Sequence, residues 1–460
     1  LSTMNEVVST AHESVEARSA RLSQIAEDVL ARCRAHGAGQ AEVSIDESRG
    51  LAVNARVGEV ETVEHTRDRG VSVTVYLGRR KGSASTADLA PASIEATVAQ
   101  ACAIAGFTEE DPAAGLADAE LMARPGADGF ADFDQWHPWA LDADSAVALA
   151  LECEAAGREA DPRIANSDGA SVNSGESVSV YANSHGFLGV ERGTSHSLSC
   201  SLIAGSGDAM QRDYWYSAGL AREDLESARA VGRRAAERTV ARLAPRQAKT
   251  GQYPVLYTAE TARSLVGHLL SAISGGALYR RASFLVDRAG TQVFPEWFGL
   301  VEEPHRRRGF RSAAFDGDGV ATRTAPIVEN GVLARYVLGS YSARKLGLAT
   351  TANAGGVRNL TVTPNAENLD GMLRGMGSGL LVTEMMGHGI NPITGDYSRG
   401  AAGFWIESGE IAYPVDEITI AGNLKDMFLG IEAVGTDIDP RSHVHTGPIL
   451  VGRMTVAGAE

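Results

Sequence analysis

Apolar residues recur at helical spacing over residues 19–34, where Leu22, Ile25, Ala26, Val29, Leu30 and Cys33 share one side and His36-Gly37 supplies a stop. The period then drops to two over 41–46, 51–56, 59–65 and 70–77, with Val57-Gly58 as one of the intervening turns, and a Gly-Arg-Arg-Lys-Gly link at 78–82 leads to a further short strand. Alternation of this kind predicts an antiparallel meander with one packed face and one more polar face. Helical spacing returns over 91–105 through Ile94, Val98, Ala101 and Cys102. Residues 110–140, rich in Gly, Pro and Asp, read as a surface excursion, with the two tryptophans of FADFDQWHPW sealing the domain. A helix is predicted over 142–160, strands over 164–202 joined by S-D-G, N-S-G and N-S-H-G turns, and a long helix over 222–243 whose packed side carries Leu225, Ala228, Val231, Ala235 and Leu243.

Pro245 and the polar residues 246–251 mark a boundary. Beyond it, Tyr253-Pro254-Val255-Leu256-Tyr257 reads as a strand, and Thr258 as the cap of a helix to residue 274 that buries Ala262, Val266, Leu269 and Ile273. Residues 332–346 read as a strand and a short helix, 380–382 as a strand, and 424–431 as a turn or two of helix. The expected fold class is α+β: two dissimilar domains, 1–245 and 246–460, with mostly antiparallel sheets and flanking helices. At about 150 residues per domain, the chain is long enough for two or three cores.

Composition sharpens this picture. With 51 glycines and 6% aromatics, sheets with many turns are favoured over a helical bundle. The formal charge of −16 is spread along the chain, which argues against a nucleic-acid surface; the densest basic run, Arg306-Arg307-Arg308, reads as a solvated turn. Cys33, Cys102, Cys153 and Cys200 are widely spaced and form no CxxC, as expected for reduced, buried thiols of a cytoplasmic protein. Residues 1–20 hold no apolar run of leader length and no later segment approaches a membrane span, so a soluble protein is expected.

The most distinctive stretch is 384–423, EMMGHGINPITGDYSRGAAGFWIESGEIAYPVDEITIAGN, in which Gly387, Gly389 and Gly395 permit tight turns beside strand-like runs. Its chemistry is quiet. Asp316-Gly317-Asp318-Gly319 lacks the remaining ligands of a calcium loop, Ser398 has no identifiable His/Asp partners, and no phosphate-binding or dinucleotide fingerprint is present. No HExxH occurs; His268 on a helix reads as a structural side chain, while His388, His443 and His445 form a minor candidate metal set, His443-x-His445 presenting both rings on one strand face.

Four segments carry a resemblance: GHLLSAISGGALYRRASFL, GGVRNLTVTP, the 384–423 stretch with the following leucine, and VGRMTVAGAE. Over nearly its full length the chain resembles the TldD/PmbA family, and within it the TldE (PmbA) branch. The resemblance implies a cytoplasmic α+β protein of two dissimilar domains that works in a TldD-TldE heterodimeric metalloprotease. That family is linked to trimming small or unfolded polypeptides, including peptide-antibiotic precursors and an antitoxin, and bears an older name as a modulator of DNA gyrase.

In the TldD branch, zinc is held by the two histidines of HExxxH and by a C-terminal cysteine. On this chain the motif falls on Arg263-Ser264-Leu265-Val266-Gly267-His268, and the cysteine position near Thr446. Arginine is no neutral nitrogen ligand and a serine hydroxyl does not replace the carboxylate base, so only His268 remains. Residues five apart on a helix also point about 140° apart. The implied picture is a subunit without catalytic residues or metal of its own, zinc residing in a TldD-like partner. This subunit would hold polypeptide substrate through His388, Asn391, Asp396, Tyr397 and Arg399 and through strand pairing near 400–406. When isolated, it would be open to pairing with itself. Three alternatives stand beside this: an independent metallopeptidase using His388, His443 or His445, a structural or regulatory partner, and a gyrase- or nucleic-acid-associated module, to which the acidic balance lends little support.

Overall fold

The computed structural model describes residues 13–127 and 129–458; residues 1–12, on which much of the leader reading falls, lie outside them. The chain runs α1 (Val15–Ala35), β1 (Gln40–Arg56), β2 (Glu59–Leu77), β3 (Arg80–Thr86), α2 (Pro91–Phe107), α3 (Ala143–Arg158), β4 (Ile164–Asn183), β5 (Leu188–Ala204), β6 (Gln211–Gly219) and α4 (Ala228–Ala241). It continues through β7 (Gly251–Tyr257), α5 (Ala259–Ala272), α6 (Gly275–Tyr279), β8 (Leu300–Glu302), β9 (Ala325–Glu329), β10 (Val332–Leu333), α7 (Ser340–Leu346), β11 (Leu360–Val362) and α8 (Leu369–Met376). The last elements are β12 (Gly379–Met386), β13 (Asp396–Glu407), β14 (Glu410–Asn423), α9 (Leu424–Leu429), β15 (Ile431–Val434), β16 (Val444–His445) and β17 (Ile449–Ala457). The α+β class expected from patterning is the class observed. Among the described residues, no helix is long and apolar enough to cross a membrane.

The residues group into two compact units. One takes the chain up to Ser48, with Arg67–Leu116 and Ser177–Arg192; the other takes Arg49–Thr66, Ala117–Glu176 and the described residues from Gly193 onward. In the first, α1 starts where the Ser14 hydroxyl accepts from the Ala17 N–H at 3.2 Å and buries Leu22, Ala26, Val29 and Cys33. The end of β2 turns back into β3, pairing Val71 with Thr86 through to Leu77 with Arg80.

In the second unit α3 and α4 cross closely, because Gly232 leaves room for the Cys153 carbonyl: a Cβ there would lie 2.0 Å from that oxygen. The helix predicted from residue 222 begins six residues later. Arg222–Asp224 form a 3₁₀ turn, the Asp224 carboxylate accepts from the Ala221 N–H at 3.0 Å, and the true cap is Ser227, accepting from Ala230 at 3.2 Å. Thr258 does sit at the start of α5, but its side chain makes no cap bond and instead meets the Thr261 hydroxyl at 3.1 Å.

Two sheets organise the region from residue 250. The smaller has the order β10-β9-β8-β11-β16, with β11 and β16 parallel. The larger has the order β14-β13-β12-β7-β17-β15, and β14 also pairs with β17. The circuit β14-β13-β12-β7-β17 therefore closes on itself, with β15 attached outside along the first part of β17. Inside it Tyr257, Tyr397 and Met454 are buried together, the Tyr257 hydroxyl lying 3.4 Å from both the Tyr397 hydroxyl and the Met454 sulfur. The helix α5 lies over β7 and β12, with Ala262, Leu265, Val266 and Leu269 in the same core.

Candidate functional site

A cavity of about 750 Å³ opens within the second unit. Its walls are Trp215 and the end of β6, the Arg234-Arg238 face of α4, the first turn of α5 at Glu260, the Arg306-Arg307-Arg308 loop, and the 437–441 segment leading to His445. The amphipathic pattern of α4 explains one wall: Val231, Ala235 and Ala236 face the core, which turns Arg234 and Arg238 the other way.

A network of charge lies along this cavity. The Arg441 guanidinium donates to both oxygens of Asp439 at 2.8 and 2.9 Å, to Glu260 at 2.7 Å and to the Tyr216 carbonyl at 2.7 Å. It stacks 3.9 Å above the Trp215 ring and 4.3 Å from that of Tyr216. Arg238 donates to the other Glu260 oxygen at 3.0 Å and also reaches over Trp215, 5.2 Å from its centre. Asp439 is nearly buried; burial alone would raise its pKa, but the Arg441 hydrogen bonds and the charge of Arg263 outweigh that and hold it below the ordinary carboxylate range.

Arg263, on α5, is the residue at the first histidine position of the HExxxH alignment. Its guanidinium lies 2.5 Å from the Asp439 carboxylate, donates to the Asp439 carbonyl at 3.1 Å and to the Tyr216 hydroxyl at 3.2 Å. Ser264 donates its hydroxyl to the Thr261 carbonyl at 2.6 Å, inside its own helix. Thr446 is fully buried and donates to the Gly447 carbonyl at 3.0 Å. His268 is carried round to another side of α5, where its ring meets that of Tyr397 edge-on at 5.8 Å. Its Nε2 is buried without a hydrogen-bond partner. Burial first, and the nearby Arg399 charge second, pull its pKa down to about 4, so the ring is neutral at physiological pH.

The structure thus separates what the motif would join: Arg263 pairs with Asp439 behind the cavity wall, and His268 faces the aromatic ring of Tyr397. His443 and His445 do lie near the cavity. Burial, then Arg311 and Arg263, lower His443 to about 4; burial and then Arg306 lower His445. Among the described residues, no group of three or more His, Cys, Asp or Glu side chains is arranged to hold a metal ion. Arg263, Ser264, His268 and Thr446 do not fit zinc, since one of the four is a cation and another is turned away.

The residues of the 384–423 stretch take a different arrangement from a substrate strand. β13 is hydrogen-bonded to β12 on one side and β14 on the other, so residues 400–406 have no free edge for a peptide, contrary to the strand-pairing expectation. The turn is also internally satisfied: Asn391 donates its N–H to the Asp396 carbonyl at 2.9 Å and accepts from Ile393 at 3.0 Å, while Asp396 accepts from Thr394 at 2.6 Å and Asn423 at 3.1 Å. Tyr397 is 1% exposed, and a buried Arg399 Nε has no partner. His388 and the neighbouring Ile393 remain exposed. The three arginines read as a solvated turn do include a turn at 307–308 with Arg307 largely in solvent, and they also rim the cavity, each near a carboxylate: Arg306 to Glu303 at 2.5 Å, Arg307 to Asp134 at 3.1 Å and Arg308 to Asp224 at 3.0 Å. Trp215, Glu260, Asp439 and Arg441 escaped sequence reading; the signal available was the D-I-D-P-R run just ahead of His443-x-His445.

Comparison with known proteins gives a consistent set of matches. Three family profiles cover successive parts of the chain: PmbA/TldA metallopeptidase domain 1 over residues 41–105, the central domain over 136–243 and the C-terminal domain over 250–458. A protein of Escherichia coli O157:H7 named metalloprotease PmbA is 47% identical over 418 residues, 91% of this chain and 92% of that protein. A homologue from Haemophilus influenzae is likewise 47% identical, with 91% and 92% covered. A crystal structure from Bacteroides thetaiotaomicron, whose given name connects it with modulation of DNA gyrase, superposes with a TM-score of 0.90 at 27% identity, covering 97% of this chain and 99% of that one. The structure of TldE from Thermococcus kodakarensis shares the fold, with a TM-score of 0.78 at 19% identity over 94% of this chain and all of that one.

Proposed function

Since the chain belongs to the PmbA/TldD metallopeptidase family, we propose that it serves as the TldE-like subunit of a heterodimeric metalloprotease, contributing a substrate chamber while a TldD-like partner carries zinc. The observation that carries this reading is the ion pair between Arg263 and Asp439. A guanidinium fixed at the position of the first metal ligand brings a positive charge beside His443 and His445, which opposes a second cation there. With Ser264 bonded within its helix, no carboxylate stands at the general-base position either. No step of peptide hydrolysis is therefore routed through a metal on this chain. Zinc in the partner would polarise the scissile carbonyl and activate water.

In this reading the cavity around Trp215 and Arg441 takes part of an extended small or unfolded polypeptide, in the cytoplasm. Its large apolar ring and alternating guanidinium and carboxylate groups suit varied side chains and do not select a single charge. His388, Asn391, Asp396, Tyr397 and Arg399 enter as a second, smaller element: exposed His388 and the Gly387–Thr394 turn are what remains open for contact, with Tyr397 and Arg399 supporting it from beneath.

The test is to mix the chain with its zinc-bearing partner and to measure peptide cleavage and metal content against each chain alone. Cleavage by the mixture only, with zinc in the partner only, is the expected result. Stoichiometric zinc retained by this chain with cleavage on its own would establish the independent metallopeptidase in its place. Full activity of the partner alone, unchanged on mixing, would leave a structural or regulatory subunit.

A further inference from the structure

A second cavity, of about 380 Å³, lies within the second unit and shares one wall residue, Glu226, with the larger one. Its apolar walls are Trp139, Leu149, Val172, Leu198 and Leu225. Val172 on β4 and Leu198 on β5 are buried, while Trp139, Leu149 and Leu225 are half-buried. The helix α3 turns Ala146, Ala150 and Cys153 into the core, which leaves Leu149 on the flank of that face and free to line the cavity. The Trp139 ring is held in place. His196, buried on β5, meets it edge-on at 5.5 Å. That imidazole is itself fixed: its Nε2 lies 2.9 Å from the His137 carbonyl and so carries the proton, which leaves Nδ1 to accept from the Ser174 hydroxyl at 3.0 Å. The Arg222 guanidinium lies 5.5 Å from the centre of the Trp139 ring. A ring fixed in this way presents apolar surface with little left to order on binding.

The charged groups around this slot are engaged with one another. Glu152 accepts from Arg229 at 2.7 Å, Glu223 lies 3.8 Å from Arg308, and Glu226 accepts from the Trp215 indole N–H at 3.0 Å. An anionic side chain entering the slot would meet these three carboxylates, and a cationic one would meet Arg222. Either would also give up its hydration, so a neutral side chain is favoured. Size points the same way. Ligand cavities run from about 300 to 1,000 Å³, and at about 380 Å³ the slot matches one large side chain, whereas the neighbouring 750 Å³ admits a length of chain.

Resting on the chamber reading above, we propose that this slot is a side-chain subsite of the substrate chamber. It takes one large apolar residue, of the size of leucine or phenylalanine, from a polypeptide whose backbone runs past Glu226 and Trp215 in the larger cavity. Selection for unfolded chains follows from this. In a folded protein such residues are mostly buried, so only a chain that exposes them can fill the slot, and what is read is the accessibility of an apolar side chain and not a sequence.

Fluorescence anisotropy tests it, using labelled Gly/Ser octapeptides that carry a single central Ala, Leu, Phe, Glu or Lys, with the full chain alone and mixed with its zinc-bearing partner. The Leu and Phe peptides are expected to bind about tenfold tighter than the Ala peptide or better, and the Glu and Lys peptides no tighter than Ala. Leu149→Trp and Leu225→Trp fill the slot from two of its walls, and each is expected to bring the Phe-to-Ala affinity ratio to within about twofold, with urea midpoints showing that both variants are folded. A peptide with central benzoylphenylalanine, photolysed on the native chain, reads the position without any substitution and should attach within 139–152 or 222–228. Equal binding of the Ala and Phe peptides, a preference for Glu or Lys, or attachment elsewhere overturns the subsite and leaves the chamber standing. No binding of any peptide, with or without the partner, overturns the chamber reading and the subsite with it.

Discussion

Asp439→Ala is the sharpest perturbation of the charged cavity. The carboxylate is shared by two guanidinium groups, two hydrogen bonds of 2.8 and 2.9 Å from Arg441 and a 2.5 Å contact from Arg263, and its side chain is 5% exposed. Arg441 keeps Glu260 at 2.7 Å after the substitution, whereas Arg263 keeps only the Tyr216 hydroxyl and a main-chain carbonyl. Removing one member of a buried pair typically costs about 3–5 kcal/mol, because the stranded charge stays desolvated. The surviving Glu260 contact places the expected loss near the bottom of that range, about 3 kcal/mol. Arg263→Met leaves Asp439 with Arg441 and should cost about half as much, since no charge is stranded. The double variant should be more stable than the sum of the singles predicts, by about 1–2 kcal/mol, because Arg263 is then no longer left alone. Urea unfolding followed by tryptophan fluorescence, with Trp215 in the cavity wall as the local reporter, gives the midpoints. A loss under about 1 kcal/mol for Asp439→Ala, or strict additivity in the double variant, would refute the reasoning that these charges form one buried unit.

Other expectations follow the same logic. Glu302, 2% exposed, accepts from Arg335 at 2.5 Å and from the Asn353 amide at 2.9 and 3.0 Å, so Glu302→Ala should cost about 3–5 kcal/mol in the urea midpoint, and a change under about 1 would show the network to be dispensable. His268 and His443 have folded-state pKa values lowered from 6.5 to about 4, so the unfolded chain takes up their protons first; stability is full above pH 6.5 and falls as the pH drops towards 4. After allowance for their partial exposure each contributes about 1–2 kcal/mol over that window, and His268→Phe should flatten the slope of stability against pH, an unchanged slope counting against it. Gly447→Ala would set a Cβ 1.9 Å from the Gly435 carbonyl oxygen; a loss of at least about 2 kcal/mol is expected, and a thermal midpoint equal to that of the native chain would contradict the close approach.

What could be read from the chain alone depended on whether the signal was local. The period of α1 is visible because Leu22, Ala26, Val29 and Cys33 repeat on one side, and the same four are fully buried. The start of α4 was misplaced because helix-forming residues extend upstream of Ser227, while Asp224 turns back to the Ala221 N–H and closes residues 222–224 as a separate 3₁₀ turn. Pairing is not written locally at all. Residues 400–406 look like any exposed strand in sequence, and only the partners on both sides remove their edge. The cavity was illegible for the same reason: Trp215 on β6, Glu260 and Arg263 on α5, and Asp439 with Arg441 come from three separate stretches of chain, and none of them carries a local signal of the others. The HExxxH alignment named Arg263 and His268 but could not tell that one would face an ion pair and the other an aromatic core.

The closed circuit of β7, β12, β13, β14 and β17 also dictates an order of events during synthesis. β7 emerges first and pairs on one edge with β12 and on the other with β17, at Val255↔Leu380 and Val255↔Val451. Contacts separated by so much chain carry a loop-closure cost before they return any stabilisation, and they form slowly. Until β17 leaves the ribosome, β7 has an open flank and the Tyr257 hydroxyl lacks its Met454 neighbour. The nascent chain must therefore be kept from misassociating while it waits, so the demand this barrel makes on holding chaperones is set by the distance between its strands along the chain and not by its final stability.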